Sequence, residues 1–86
     1  MTGSRVRPAM DEVHLDLKGL KCPLPALRTR KALARVAAGG LLVVVCTDPM
    51  AAIDIPNLVR ETGNALEDQT RDGSAFIFSI RRIGEG

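Results

Sequence analysis

The sequence predicts an α/β (α+β) two-layer sandwich: four strands in one mixed sheet, in βαβαββ order, with two helices on one face. Three patterns predict it. Val13, Leu15 and Leu17 alternate with His14 and Asp16, which marks a half-buried strand. A run with helical periodicity leads from there into the apolar stretch LLVVVC, Leu41–Cys46. Strand, helix and strand with short connections make a βαβ unit, so these two strands are expected to be parallel. Near the C-terminal end, Asp72-Gly73 is a hairpin signal, and an antiparallel pair makes the sheet mixed.

The elements follow in chain order. Residues 1–12 show no periodicity and read as a loose tail, leaving 13–83 as a single domain. The first helix is expected from Pro23 or Pro25 to Ala38. Ala26, Thr29, Leu33, Val36 and Ala37 gather on one side of it, and Arg28, Lys31 and Arg35 on the other. Gly39-Gly40 is expected to end it. LLVVVC lacks alternation and reads as a central strand buried on both faces. Thr47 or Asp48 is placed to cap a second helix whose first position is Pro49. Pro56 is expected to kink or restart that helix, and Gly63 to stop it. Ala65–Thr70 alternates weakly and suits an edge strand, while Phe76, Phe78 and Ile80 anchor the last strand.

At 86 residues the chain has room for one small domain. Phe76 and Phe78 are its only aromatic residues, so Leu, Ile, Val and Ala must build the core. No apolar run approaches the roughly 20 residues of a membrane helix. No apolar segment follows Arg5 and Arg7, so a secretory signal is not expected, and the reading is a cytoplasmic protein without membrane contact. Two cysteines and one histidine are too few for a disulfide framework or a zinc site, so no metal or cofactor is expected. Small size argues for a monomer that forms transient complexes.

Charge is unevenly spread. Lys18, Lys21, Arg28, Arg30, Lys31 and Arg35 follow one another without an acid. From Val36 to Thr70 a single base, Arg60, faces Asp48, Asp54, Glu61, Glu67 and Asp68. Such asymmetry suits an acidic or phosphate-bearing partner. Direct nucleic-acid binding is not favoured, because single-stranded binders stack bases on aromatic platforms and both phenylalanines read as core.

Cys22 lies inside the basic segment, in GLKCPLPALRTRKAL. Pro23 and Pro25 suit a helix start, where their missing N–H groups cost nothing. The cysteine is thereby held near the positive end of a helix and beside Lys21, surroundings that favour a thiolate. Cys22 is expected to be exposed and reactive, and Cys46, within LLVVVC, to be a small buried apolar residue. His14 is the only imidazole and gives a weak Cys/His dyad signal. A cysteine without base, metal or second thiol suits carrying a group better than hydrolysis.

The stretch LDLKGLKCPLPALRTRKAL, with Asp48-Pro49 and Asp54-Ile55-Pro56 downstream, resembles the TusA/SirA-like sulfur-carrier family. The motif is Cys-Pro-x-Pro, Cys22 to Pro25, following a strand that ends in Gly-Leu, with Arg30-Lys31 and Gly39 matching further along. The resemblance spans about Leu15 to Arg82. It implies the same βαβαββ sandwich and a sulfurtransferase-type carrier. Cys22 would accept sulfane sulfur as a persulfide, typically from a cysteine desulfurase, and relay it to a downstream acceptor protein. Destinations in the family include 2-thiolation of tRNA, molybdenum-cofactor synthesis and sulfur oxidation. The tRNA-thiolation type commonly has an acid between the prolines, where this chain has Leu24, so the pathway stays open. On this view Lys21, Pro23 and Pro25 position the sulfur, and Arg28, Arg30, Lys31 and Asp48 meet partners. The rival reading is a regulatory or docking module that uses the Cys-Pro-x-Pro turn only as a shape.

Overall fold

A computed structural model describes residues 12–83. The expected tail lies outside these residues except for Glu12, which opens the first strand rather than ending the tail. The chain runs β1 (Glu12–Leu17), α1 (Leu24–Leu33), β2 (Leu41–Cys46), α2 (Ala51–Glu61), β3 (Ala65–Asp72) and β4 (Ala75–Arg81). The sheet order is β1-β2-β4-β3. β1 and β2 are parallel, and β4 is antiparallel to both β2 and β3. This is the mixed four-stranded sheet of βαβαββ order that the sequence predicts.

The register aligns the core rows. Leu15 pairs with Val44 and Val44 with Phe78; Leu17 pairs with Cys46 and Cys46 with Phe76. Leu33 of α1, Val36 just beyond it, and Ala51, Ile55 and Val59 of α2 pack on that face, in one cluster with Leu42, Val44, Cys46, Phe78 and Ile80. Both helices therefore lie on the same face. That corrects the reading of β2 as buried on both sides. Leu42, Val44 and Cys46 are fully buried, but Leu41, Val43 and Val45 stay partly exposed on the face no helix covers.

Helix ends depart from expectation where tertiary contacts supply the caps. α1 stops at Leu33 and not at Ala38, so Ala37 is exposed. Its freed carbonyls at Leu33 and Val36 accept hydrogen bonds from the Arg82 guanidinium, a partner remote in sequence. Gly39, at φ +86°, turns the chain into β2 instead of ending the helix. α2 begins at Ala51, two residues after Pro49, and runs through Pro56 without a restart. An interior proline costs about 3 kcal/mol. Burying Ile55, Leu58 and Val59 contributes about 1.5–3 kcal/mol each, which outweighs that loss. Gly63 does end α2: at φ +77° it donates to the Arg60 carbonyl, and Asn64 donates to that of Val59.

β3 is an edge strand, as β1 is on the other side, and has a bulge between Leu66 and Asp68. Gly73, at φ +63°, lies in the tight turn to β4. Arg81 grips both carboxylate oxygens of Glu67 at 2.9 and 3.1 Å, tying the bulge to β4 and holding the Glu67 carboxyl below its usual range. No helix among the described residues is long and apolar enough to cross a membrane.

Candidate functional site

Parallel strands end side by side, and β1 and β2 stop in register at Leu17 and Cys46. The loops that follow therefore meet at one end of the sheet, where both helices begin. Gly19, at φ +87°, turns the first loop, and its N–H donates to Thr47 Oγ1 at 2.9 Å. The Cys22 N–H donates to Asp48 Oδ2 at 2.5 Å, while Asp48 Oδ1 accepts the Met50 N–H at 3.2 Å. Thr47 and Asp48 thus bridge from the second loop to the first, besides leading into α2.

The prolines shape the start of α1. The Cys22–Pro23 peptide is cis. Pro23 is the N-cap, so neither proline occupies the first helical position, which falls to Leu24. The Leu24 N–H donates to the Lys21 carbonyl at 2.8 Å, and the Leu27 N–H to that of Pro23 at 3.1 Å. Pro25 is buried and has no N–H to leave unpaired. Cys22 itself is exposed, one residue before the cap.

The thiol has a partner that was not expected. Cys22 Sγ donates to Asp54 Oδ2 at 3.4 Å. That hydrogen bond, with a smaller burial effect and the charges of Asp54 and Asp48, raises the thiol pKa above its ordinary value. The structure therefore sets two carboxylates against the expected thiolate. Asp54 sits within hydrogen-bond reach of the sulfur and opposes its ionisation, against the pull of the helix end. Cys46 is buried as expected, and burial with the Asp48 charge pushes its thiol up to about 11.

The other candidates are spread around this centre. His14 contacts Glu12 at 3.0 Å on the exposed edge strand, so its ring is engaged away from the thiol. Lys21, Arg28, Arg30 and Lys31 are all exposed. Arg28, Lys31 and Arg35 line an open groove of about 500 Å³ whose floor is Val13, Leu15 and Ala32. Arg30 turns instead to Glu61 of α2, at 3.6 Å. Leu24, Leu27, Met50 and Ile53 are exposed large apolar residues. They lie at the starts of α1 and α2, the end of the fold that carries Cys22. Asp54 was missed as a site residue, because its contact with the thiol bridges 32 positions of sequence. The available signal was an acid in the first turn of α2, following Asp48-Pro49.

A small α/β domain that presents one exposed thiol where two helices start, with no imidazole against it, has the architecture of a single-cysteine carrier. Residues 13–82 match the family model described as Sulfurtransferase TusA. The sulfur carrier protein TusA of Allochromatium vinosum is 40% identical over 69 residues, covering 80% of this chain and 91% of that one. A protein of the same name from Pseudomonas putida is 40% identical over 68 residues, covering 79% and 85%. The crystal structure of a SirA-like protein from Desulfitobacterium hafniense superposes with a TM-score of 0.71 at 24% identity, covering 79% of this chain and 93% of that one, a likeness of fold. The chain belongs to the TusA family, whose named relatives are sulfur carrier proteins.

Proposed function

We propose that the protein relays sulfane sulfur, holding it as a persulfide on Cys22 between a donor and an acceptor protein. The observation that carries this reading is the exposed Cys22 thiol, anchored through its own N–H to Asp48. Its backbone is fixed while its sulfur faces outward. The donor is a cysteine desulfurase or another persulfide-bearing protein, and the acceptor a thiol protein of a thiolation or sulfur-oxidation route. Thiolation of tRNA is one such destination. Transfer from a persulfide to a free thiol needs cysteines kept out of disulfides, which suits the reducing cytoplasm.

Partner recognition falls to surfaces near the thiol. Exposed Leu24, Leu27, Met50 and Ile53 give partners an apolar contact area. Arg28 and Lys31 supply positive charge for acidic partners, with Arg35 beside them in the groove. Asp48 serves the site first as a clamp on the loop and second as a negative charge beside the sulfur. Lys21, Pro23 and Pro25 set where the sulfur emerges. The domain works as a monomer in transient complexes.

The test is sulfur loading. Incubation with a cysteine desulfurase and cysteine should leave one extra sulfur on Cys22 by mass spectrometry. Equal uptake by Cys22→Ser would refute the reading. Function retained in cells by Cys22→Ser, but lost on replacing Pro23 or Pro25, would favour a docking module instead.

A further inference from the structure

Cys22 is a thiol with a carboxylate already on its proton. We propose that Asp54 is a catalytic proton carrier: it takes the Cys22 proton as sulfur arrives and gives Sγ a proton as sulfur leaves. The inference rests on the reading of Cys22 as the sulfur-bearing residue. The observation behind it is the hydrogen bond from Sγ to Asp54 Oδ2 at 3.4 Å, made by a side chain in the first turn of α2. The residue reaches the sulfur from a different element, so its position is set by the fold and not by the motif.

The chemistry requires such a group. In loading, Cys22 Sγ attacks the terminal sulfur of a donor persulfide. The new bond joins Cys22 to that sulfur, and the donor's own S–S bond breaks. Its electron pair remains on the donor cysteine as a thiolate, and the Cys22 proton moves to Asp54. In unloading, an acceptor thiolate attacks the same terminal sulfur. The Cys22 S–S bond breaks, the electron pair returns to Sγ, and Asp54 delivers to it the proton that the acceptor thiol gives up as it ionises to attack. The sulfur moves at constant oxidation level, and no oxidant or reductant is needed. By microscopic reversibility the base of the first step is the acid of the second.

The surroundings make this proton transfer matter. The charged groups acting on the thiol are Asp54 from α2 and Asp48 from the loop before it, and both oppose a thiolate. Lys21, the neighbour in the chain, does not reverse that balance. In water the proton is lost to solvent. In a docked complex, with the apolar residues around the site covered, water is excluded and Asp54 is the acceptor within reach. The same pair of carboxylates makes an unprotonated Cys22 a poor leaving group, which the returning proton corrects.

Two measurements on the full chain test this. The first is the pH profile of Cys22 alkylation by iodoacetamide, where water can accept the proton. Asp54→Asn removes the acceptor and the opposing charge, so the profile should move to lower pH and the rate at neutral pH should rise. The second is single-turnover sulfur uptake from a cysteine desulfurase preloaded as its persulfide. Here Asp54→Asn should be slower by roughly a hundredfold, and Asp54→Glu should recover part of the loss. A small reagent reacting faster while a docked donor reacts more slowly is a split that a structural role does not produce. An unchanged alkylation profile, or uptake at the wild-type rate, overturns the proposal. If the wild type itself takes up no sulfur, the carrier reading fails, and the alkylation profile alone decides whether Asp54 governs the Cys22 proton.

Discussion

Replacing Asp48 separates its structural work from any contact with partners. Its two carboxylate oxygens accept the Cys22 N–H at 2.5 Å and the Met50 N–H at 3.2 Å, and so join the loop before α1 to the loop before α2. A hydrogen bond to a charged acceptor contributes about 1.5–3 kcal/mol. Asp48 is partly exposed, so water compensates part of that, and Asp48→Ala should cost about 2 kcal/mol for the pair. In a domain of this size each kcal/mol moves the melting temperature by about 4–8 °C, so a fall of about 10 °C is expected. Asp48→Asn keeps one acceptor and turns an amide N–H₂ toward the other donor, and should fall between wild type and Asp48→Ala. Both variants should also alkylate faster at Cys22 near neutral pH, because a carboxylate that opposes the thiolate has gone. Thermal unfolding by circular dichroism reads the first effect and iodoacetamide kinetics the second. A melting point within about 2 °C of wild type for Asp48→Ala would show that the clamp holds nothing, and the geometric reasoning would fail with it.

Further outcomes follow from other parts of the structure. Thr29 is fully buried in α1 and its hydroxyl has no hydrogen-bond partner among the described residues, so Thr29→Val should stabilise the fold by about 1 kcal/mol in urea titration; a loss of stability would contradict this. The folded-state pKa of Cys46, about 11, lies above the ordinary thiol value of 9.0, so its contribution is fully present below pH 9 and disappears as pH rises through 11. That loss should total about 2–3 kcal/mol, at about 1.4 kcal/mol per pH unit. Unfolding free energies at pH 8 and pH 11 should show it, and it should vanish in Cys46→Ala. Arg28→Glu with Lys31→Glu should change stability by less than about 0.5 kcal/mol. The same pair should weaken desulfurase binding and flatten its salt dependence in calorimetry, and unaltered affinity would remove the basic face from partner recognition.

Local signals carried well into the structure. Alternation at Val13, Leu15 and Leu17, the glycine stop at Gly63 and the turn at Gly73 depend on neighbours in sequence, and each appears where the pattern places it. What failed was set at long range. The end of α1 depends on Arg82 reaching Leu33 and Val36 across the fold. The burial of β2 depends on which face the helices cover, and an unbroken apolar run does not encode that choice. The site divides in the same way. Cys22 was legible because its motif is contiguous. Its protonation state was not, since Asp48 and Asp54 meet it only once two parallel strands end side by side. Helix ends and lysines can be read from a line of text, whereas carboxylates that the fold brings to the sulfur cannot.

The central claim is that Cys22 carries transferable sulfur, and its most direct measurement is intact-mass analysis after incubation with a cysteine desulfurase and cysteine, followed by peptide mapping. The account predicts one added sulfur, located on Cys22, removed by a thiol reductant and absent in Cys22→Ser but not in Cys46→Ala. Sulfur found on Cys46, or taken up equally by Cys22→Ser, would contradict it.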